Sequence, residues 1–149
     1  MPISRTAAAA LCAAACLIVV PQRGSAQGPP PTSKSTRDGV YTAAQAARGK
    51  EVYAGFCQAC HTPASHTGSV FTSKWVGWPI SELFSYLRNE MPQSDPGSLS
   101  AAEYADVLTY ILQLNGLPKG TEELPRDVKA LKEIRFDTAA ARPRRPERR

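Results

Sequence analysis

The 149-residue sequence predicts an all-α fold of three to five helices. Two observations support this. A serine or threonine is twice followed three positions later by glutamine or glutamate, which is the pattern of a helix capping box. These pairs are Thr42 with Gln45 and Ser100 with Glu103. Apolar residues then recur at the helical period after the second pair, and no segment shows the alternation expected of a strand.

The first helix is predicted to begin after Thr42 and to extend over residues 43–54, because this segment is rich in alanine with charges interspersed. Gly49 lies inside it and costs about 1 kcal/mol relative to alanine, which suggests that something large presses against the backbone there. Ser81 is predicted to cap a second helix that ends near Glu90.

The third predicted helix is the strongest of the chain and follows Ser100. Gly116 ends it and Pro118 prevents its continuation. A short amphipathic helix is expected within residues 125–136. The apolar stripe of the third helix consists of Tyr104, Val107, Leu108, Ile111, Leu112 and Leu114.

One pentapeptide between the first two helices carries the chemistry, Cys57-Gln58-Ala59-Cys60-His61. C-x-x-C-H is the attachment signal for a c-type haem. The thiols of Cys57 and Cys60 can each form a thioether with the porphyrin, and His61 can then coordinate the iron. The same spacing also suits a thiol redox pair or part of a zinc site. The sequence therefore predicts one covalent haem c, with those alternatives open.

Residues 1–26 have the features of a secretory signal peptide: an early arginine, a fourteen-residue apolar run and small residues at a cleavage site. A membrane anchor is the alternative, although a span needs about twenty apolar residues. Cleavage would remove Cys12 and Cys16 and leave only the two cysteines of the pentapeptide. Attachment to haem would prevent this pair from closing into a disulfide in an oxidising compartment. We expect a periplasmic location.

The two ends of the expected mature chain differ in composition from its centre. Residues 27–39 contain three consecutive prolines and are predicted to be a disordered linker. Residues 119–138 are predicted to be an extension with the short helix, and residues 139–149 a disordered basic tail. The last eight residues hold five arginines and one glutamate, so they account for most of the net charge of +5. No basic face interleaved with aromatic residues is visible, which argues against a nucleic-acid partner.

The order of these features resembles that of a class I cytochrome c domain over residues 40–118. In that family the first and last helices cross through a glycine and an aromatic residue, and Gly49 and Tyr53 stand eight and four positions before Cys57. The resemblance implies that Tyr110 packs over Gly49. The wording before the last helix, Pro-Gly-Ser-Leu-Ser, is similar to that of single-haem cytochromes associated with quinoprotein or sulfite-oxidising dehydrogenases.

His61 is the expected fifth iron ligand. For the sixth ligand we favour Met91, which lies in a proline-stiffened loop thirty residues later, where the family places its axial thioether. The alternative is His66, which we expect to be a solvent-exposed loop residue because it follows His61 too closely to reach the opposite face of the ring. The aromatic residues expected to line the pocket are Trp75, Trp78 and Tyr86.

These features predict an electron-transfer protein rather than an enzyme. Its partners would be redox proteins, such as a dehydrogenase donor or an oxidase acceptor. The basic tail or an uncleaved signal would bring it to a membrane. Two other classes stay open: a peroxidase-like or gas-binding haem protein with an open sixth iron position, and a thiol oxidoreductase without haem.

Overall fold

The computed structural model describes residues 34–138, and three long helices dominate this part of the chain. The helices are Ala43–Phe56 (α1), Gly68–Thr72 (α2), Ile80–Glu90 (α3), Ala101–Leu114 (α4) and Val128–Lys132 (α5). The other regular elements are 3-10 turns at Thr36–Asp38 and Pro63–His66, and two-residue strands at Lys34–Ser35 (β1) and Ile134–Arg135 (β2). The predicted all-α fold is confirmed.

Helices α1 and α4 approach each other most closely at Gly49. A Cβ atom added to this buried glycine would overlap the carbonyl oxygen of Asp106 in α4. The resemblance implied that Tyr110 packs over Gly49, and the atoms nearest to the glycine belong to the α4 backbone at Asp106 and Val107. One helical turn further along both helices, the rings of Tyr53 and Tyr110 meet at a centroid distance of 5.3 Å. Because Gly49 has no side chain, the α4 backbone can lie against it, and the Tyr53 and Tyr110 rings pack next to this contact.

The two predicted capping boxes differ in outcome. At α4 the box is complete, because Ser100 and Glu103 bond each other's backbone amides through their side chains. At α1 only half forms: the Thr42 hydroxyl accepts from the Gln45 amide at 3.1 Å. The Gln45 side chain is buried and pairs instead with the backbone N–H and C=O of Leu124, at 2.7 and 3.0 Å.

The predicted start of α3 is wrong by two residues, because the expected N-cap was Ser81. The helix begins at Ile80 with Pro79 as its N-cap, and no side chain caps it. Ser81 is buried in the first turn, and its Oγ lacks a hydrogen-bond partner among the described residues. The packing of this end against the core therefore displaced the serine from the capping position.

The C-terminal extension shares the core of the preceding helices, so the predicted boundary at residue 118 does not separate two folded parts. Its helix is shorter than the predicted 125–136 segment, because Ile134 lies in β2 and not in α5. Apolar side chains from the extension join the same buried cluster as α1, α3 and α4. They are Leu124, Leu131, Ile134 and Phe136.

The predicted linker 27–39 is corrected in its last six residues. β1 pairs in parallel with β2, and the turn at Thr36–Asp38 follows. Thr36 is fully buried, and its hydroxyl donates to the Asp137 carbonyl at 2.7 Å and accepts from the Asp137 amide at 2.9 Å. These bonds link residues 101 positions apart, and so no local sequence pattern could reveal them.

Three sequence-based predictions fall outside the described residues. They are the signal peptide at residues 1–26, the first part of the linker and the basic tail from residue 139. Within residues 34–138, the longest helices are too short or too polar to cross a lipid bilayer.

The close approach at Gly49 predicts that Gly49→Ala lowers the free energy of unfolding of the haem-loaded protein by about 1–3 kcal/mol, the usual cost of overpacking. Denaturant unfolding followed by circular dichroism measures this loss. The matched control is Gly55→Ala in the same helix, where an added Cβ meets nothing within 4 Å. Helix propensity should make that control neutral or more stable by up to about 1 kcal/mol. Equal losses in the two variants would show that α4 does not press on Gly49.

Candidate haem site

One cavity of about 970 Å³ lies between the end of α1, the segment after it, α3 and α4. The volume is near the upper end of the range of about 300–1,000 Å³ for cofactor and ligand sites. Its walls are mainly apolar and aromatic. All four residues predicted to hold a haem, Cys57, Cys60, His61 and Met91, line it.

The cysteine segment continues directly from the last turn of α1. Cys57 is the C-cap of α1, and its amide donates to the Tyr53 carbonyl at 2.9 Å. The amides of Cys60 and His61 both donate to the Cys57 carbonyl, at 3.1 and 2.9 Å. This tight turn keeps both thiols and the imidazole at the wall of one cavity. Cys57 and Cys60 do not form a disulfide with each other. Burial raises the pKa of the Cys57 thiol.

Met91 reaches the cavity from a different element. It is the C-cap of α3, with an extended backbone, and its amide donates to the Leu87 carbonyl at 3.0 Å. The residue is half-buried and packs against the core. The chain thus offers the cavity an imidazole from one segment and a thioether from another, separated by thirty residues of sequence.

His66 is half-buried in the cavity wall, so the expectation of a solvent-exposed loop residue is wrong. Its Nδ1 lies 3.1 Å from the Tyr53 hydroxyl and 3.2 Å from Ser65 Oγ. Burial, reinforced by the nearby His61, lowers the pKa of His66. Burial also raises the pKa of Tyr53 to about 12, so its phenol stays protonated and can donate to the imidazole.

The His66 ring lies edge-on to the His61 ring, at a centroid distance of 5.0 Å. Its carbonyl accepts from the side-chain amide of Asn115 at 2.8 Å, at the end of α4. No pattern in the sequence indicated the bond from Asn115, because Asn115 is 49 residues from His66 and resembles an ordinary helix C-cap. His66 therefore supports the cavity wall next to His61.

Two of the three predicted aromatic residues line the cavity. The rings of Trp75 and Tyr86 are 5.6 Å apart, and Phe71 continues the same wall. Trp78 does not line it and is 51 % exposed. Its neighbours in the chain pair instead with the C-terminal extension, where the Gly77 amide donates to the Phe136 carbonyl.

The cavity wall contains a polar atom that the protein leaves unpaired. Trp75 Nε1 is buried and has no hydrogen-bond partner among residues 34–138. An unpaired buried donor typically costs about 1–3 kcal/mol. A porphyrin carries carboxylate acceptors on an apolar ring, and it would meet this donor, the apolar walls and the two thiols together. The residues present therefore fit a haem.

The described part of the chain contains no group of three or more His, Cys, Asp and Glu residues placed to hold a metal ion. A structural zinc site would need four such ligands. Cys57 and Cys60 thus lack the further ligands that the zinc alternative requires within residues 34–138.

Comparison with known families matches part of the chain to a family model. The sequence model of the family described as cytochrome C oxidase, cbb3-type, subunit III, matches residues 44–111. The matched segment runs from the start of α1 to near the end of α4 and includes the whole pentapeptide and Met91. Comparisons with curated proteins and with solved structures yield no significant match.

The match, the helical architecture and the cavity agree with one another. The helix order around the cavity is consistent with the class I cytochrome c fold. Domains of this kind transfer electrons through the iron of a covalently bound haem c. Residues 44–111 are therefore a cytochrome c domain.

Proposed function

We propose that the protein is a periplasmic electron carrier whose haem iron is held by His61 and Met91. The observation that carries this proposal is that both thiols, the imidazole and the thioether line one cavity. When bound, the haem supplies a one-electron iron couple. The work of the chain is to anchor the ring through Cys57 and Cys60, provide both axial ligands and exclude water from most of the site.

The contacts of His66 favour Met91 as the sixth ligand. The His66 ring already packs against His61, its Nδ1 is engaged by Tyr53, and Asn115 holds its carbonyl. To coordinate the iron opposite His61, it would have to leave all three contacts. Met91 lies on the separate segment after α3 and needs no such rearrangement.

The axial pair determines the kind of chemistry. A thioether ligand favours the reduced iron and raises the reduction potential relative to two histidines. With both axial positions occupied by side chains, the site has no open position for oxygen or peroxide. This favours a carrier over the peroxidase-like or gas-binding alternative, in which Met91 would not be a ligand.

The proposed partners are redox proteins on either side of the carrier. The matching family is named for a subunit of a cytochrome c oxidase, which supports an oxidase as acceptor. The resemblance of the segment before α4 to cytochromes of quinoprotein or sulfite-oxidising systems supports a dehydrogenase as donor. Export through residues 1–26 would place the protein in the periplasm.

Covalent attachment through Cys57 and Cys60 is tested by intact mass. After maturation with haem c machinery and signal removal, we expect the mass of the chain plus one haem, and no titratable thiol. In the variants Cys57→Ser and Cys60→Ser, one thioether is lost, and we expect a shifted spectrum and a lower yield. A matured wild-type chain with two free thiols would contradict the proposed attachment.

Replacing the proposed sixth ligand tests the axial pair. Met91→Ala should lower the reduction potential by on the order of 100 mV, within the range of about 0.8 V that axial ligands span. It should also remove the weak long-wavelength absorption band of the oxidised protein that reports sulfur–iron bonding. His66→Ala is the control, and it should keep the band. The opposite pattern would assign the sixth position to His66.

The basic tail lies outside the described residues, and its role is tested by truncation after Ala141. Five arginines on a proline-broken segment can attract an acidic partner or an anionic membrane, mainly through the rate of encounter. We expect unchanged melting and spectrum, with slower electron transfer to the partner at low salt and little difference at high salt. Equal rates at low salt would leave the tail without a docking role.

A further inference from the structure

The loop that carries Met91 is held at both of its ends. It runs from the end of α3 at Glu90 to the start of α4 at Ala101. At its first residue, the Met91 amide donates to Leu87 in the last turn of α3. At its other end, the capping box of Ser100 and Glu103 holds the start of α4. Between these ends, the backbone forms two turn hydrogen bonds within the loop. The Asp95 amide donates to the Pro92 carbonyl, and the Ser98 amide donates to the Asp95 carbonyl.

Tyr104 connects this loop to the interior of the protein. It lies in the first turn of α4, is only 2 % exposed, and packs its ring edge-on against Phe84 of α3, at a centroid distance of 6.5 Å. Its hydroxyl donates to the Met91 carbonyl at 2.6 Å and accepts from the Gly97 amide at 3.1 Å. Tyr104 does not line the haem cavity.

These contacts leave the backbone of Met91 little freedom. Its N–H donates to the Leu87 carbonyl and its C=O accepts from the Tyr104 hydroxyl, so both backbone polar groups of this residue are engaged. The side chain, which lines the cavity, therefore starts from a backbone held in one orientation. The bond from Gly97 to the same hydroxyl joins two loop residues six positions apart through one buried atom.

We propose that Tyr104 is a positioning residue for the sixth iron ligand: its hydroxyl holds the Met91 loop closed and so holds the thioether on the iron. This inference rests on the proposed His61 and Met91 ligation. A loop that opens exposes the iron to a competing ligand, and the apparent affinity for that ligand depends on the fraction of open loop. Removing the hydroxyl leaves the Met91 carbonyl and the Gly97 amide without their partner, which raises that fraction.

Tyr104→Phe tests this proposal, because it keeps the ring and removes only the hydroxyl. The probe is imidazole, titrated into the oxidised haem protein and followed by absorption. Loss of one or two ordinary hydrogen bonds corresponds to an affinity about five- to thirtyfold higher than that of the wild type. We also expect a weaker sulfur–iron absorption band in the variant before imidazole is added.

Tyr41→Phe is the matched control. Tyr41 is as deeply buried, at 1 % exposure, and its hydroxyl donates to the Leu117 carbonyl at 2.7 Å. The Tyr41 hydroxyl does not bond the Met91 loop, and Tyr41 does not line the haem cavity. Removing this hydroxyl should therefore lower the free energy of unfolding by a similar amount without changing the affinity for imidazole. If Tyr104→Phe binds imidazole no more tightly than Tyr41→Phe and the wild type, the positioning role is wrong.

The outcome separates this proposal from the ligand assignment. If Met91→Ala changes neither the band nor imidazole affinity, the ligand assignment itself fails, and the role of Tyr104 fails with it. If Met91→Ala alters both while Tyr104→Phe alters neither, only the role of Tyr104 is overturned.

A second pair of variants covers the case in which Tyr104→Phe does not accumulate. Gly97 has a φ of +81°, so Gly97→Ala disfavours the backbone conformation that presents its amide to Tyr104. Gly116→Ala is its control, because Gly116 has a φ of +69° but follows the far end of α4. We expect higher imidazole affinity in the Gly97 variant only. Unchanged affinity in both would overturn the proposal.

Discussion

The close approach of α1 and α4 at Gly49 is the contact on which the rest of the structure depends. Because the Asp106 backbone takes the space of a side chain, the two helices can run close enough for Tyr53 and Tyr110 to pack one turn later. The turn of α1 that begins at Tyr53 ends at Cys57. The helix crossing therefore sets where the cysteines and His61 enter the cavity. Any increase in the distance between the helices would move the haem-binding segment relative to α4, which forms part of the same wall.

The two proposed iron ligands are placed at the cavity by different physical means. His61 is placed locally, by a turn of backbone hydrogen bonds that continues α1 and by the His66 ring beside it. Met91 is placed by tertiary contacts, because its loop has only short turn bonds of its own and depends on α3 and on the buried Tyr104 hydroxyl.

The flanking segments belong to the same folded body as the helices. Arg48 bonds Asp106 of α4 and Glu123 of the extension, but its side chain is 49 % exposed, and such exposed ion pairs add little. Gln45 contributes more than Arg48 to the attachment of the extension, because its side chain is buried and bonds both the N–H and the C=O of Leu124. The extension also bonds the backbone at Gly77 and Trp78, next to the aromatic wall that includes Trp75. These bonds therefore hold the backbone that follows Trp75.

The sequence by itself determined the helix order, the complete capping box at Ser100, and the pentapeptide with its candidate ligands, because each depends on residues close in the chain. Only the tertiary structure decided where Gln45 would bond, that the Asp106 backbone would lie against Gly49, and that Thr36 would bond Asp137. The buried position of His66 and the hydroxyl contacts of Tyr104 belong to this second group. Buried polar groups take the partner that packing brings within reach, and that partner can be a hundred residues away.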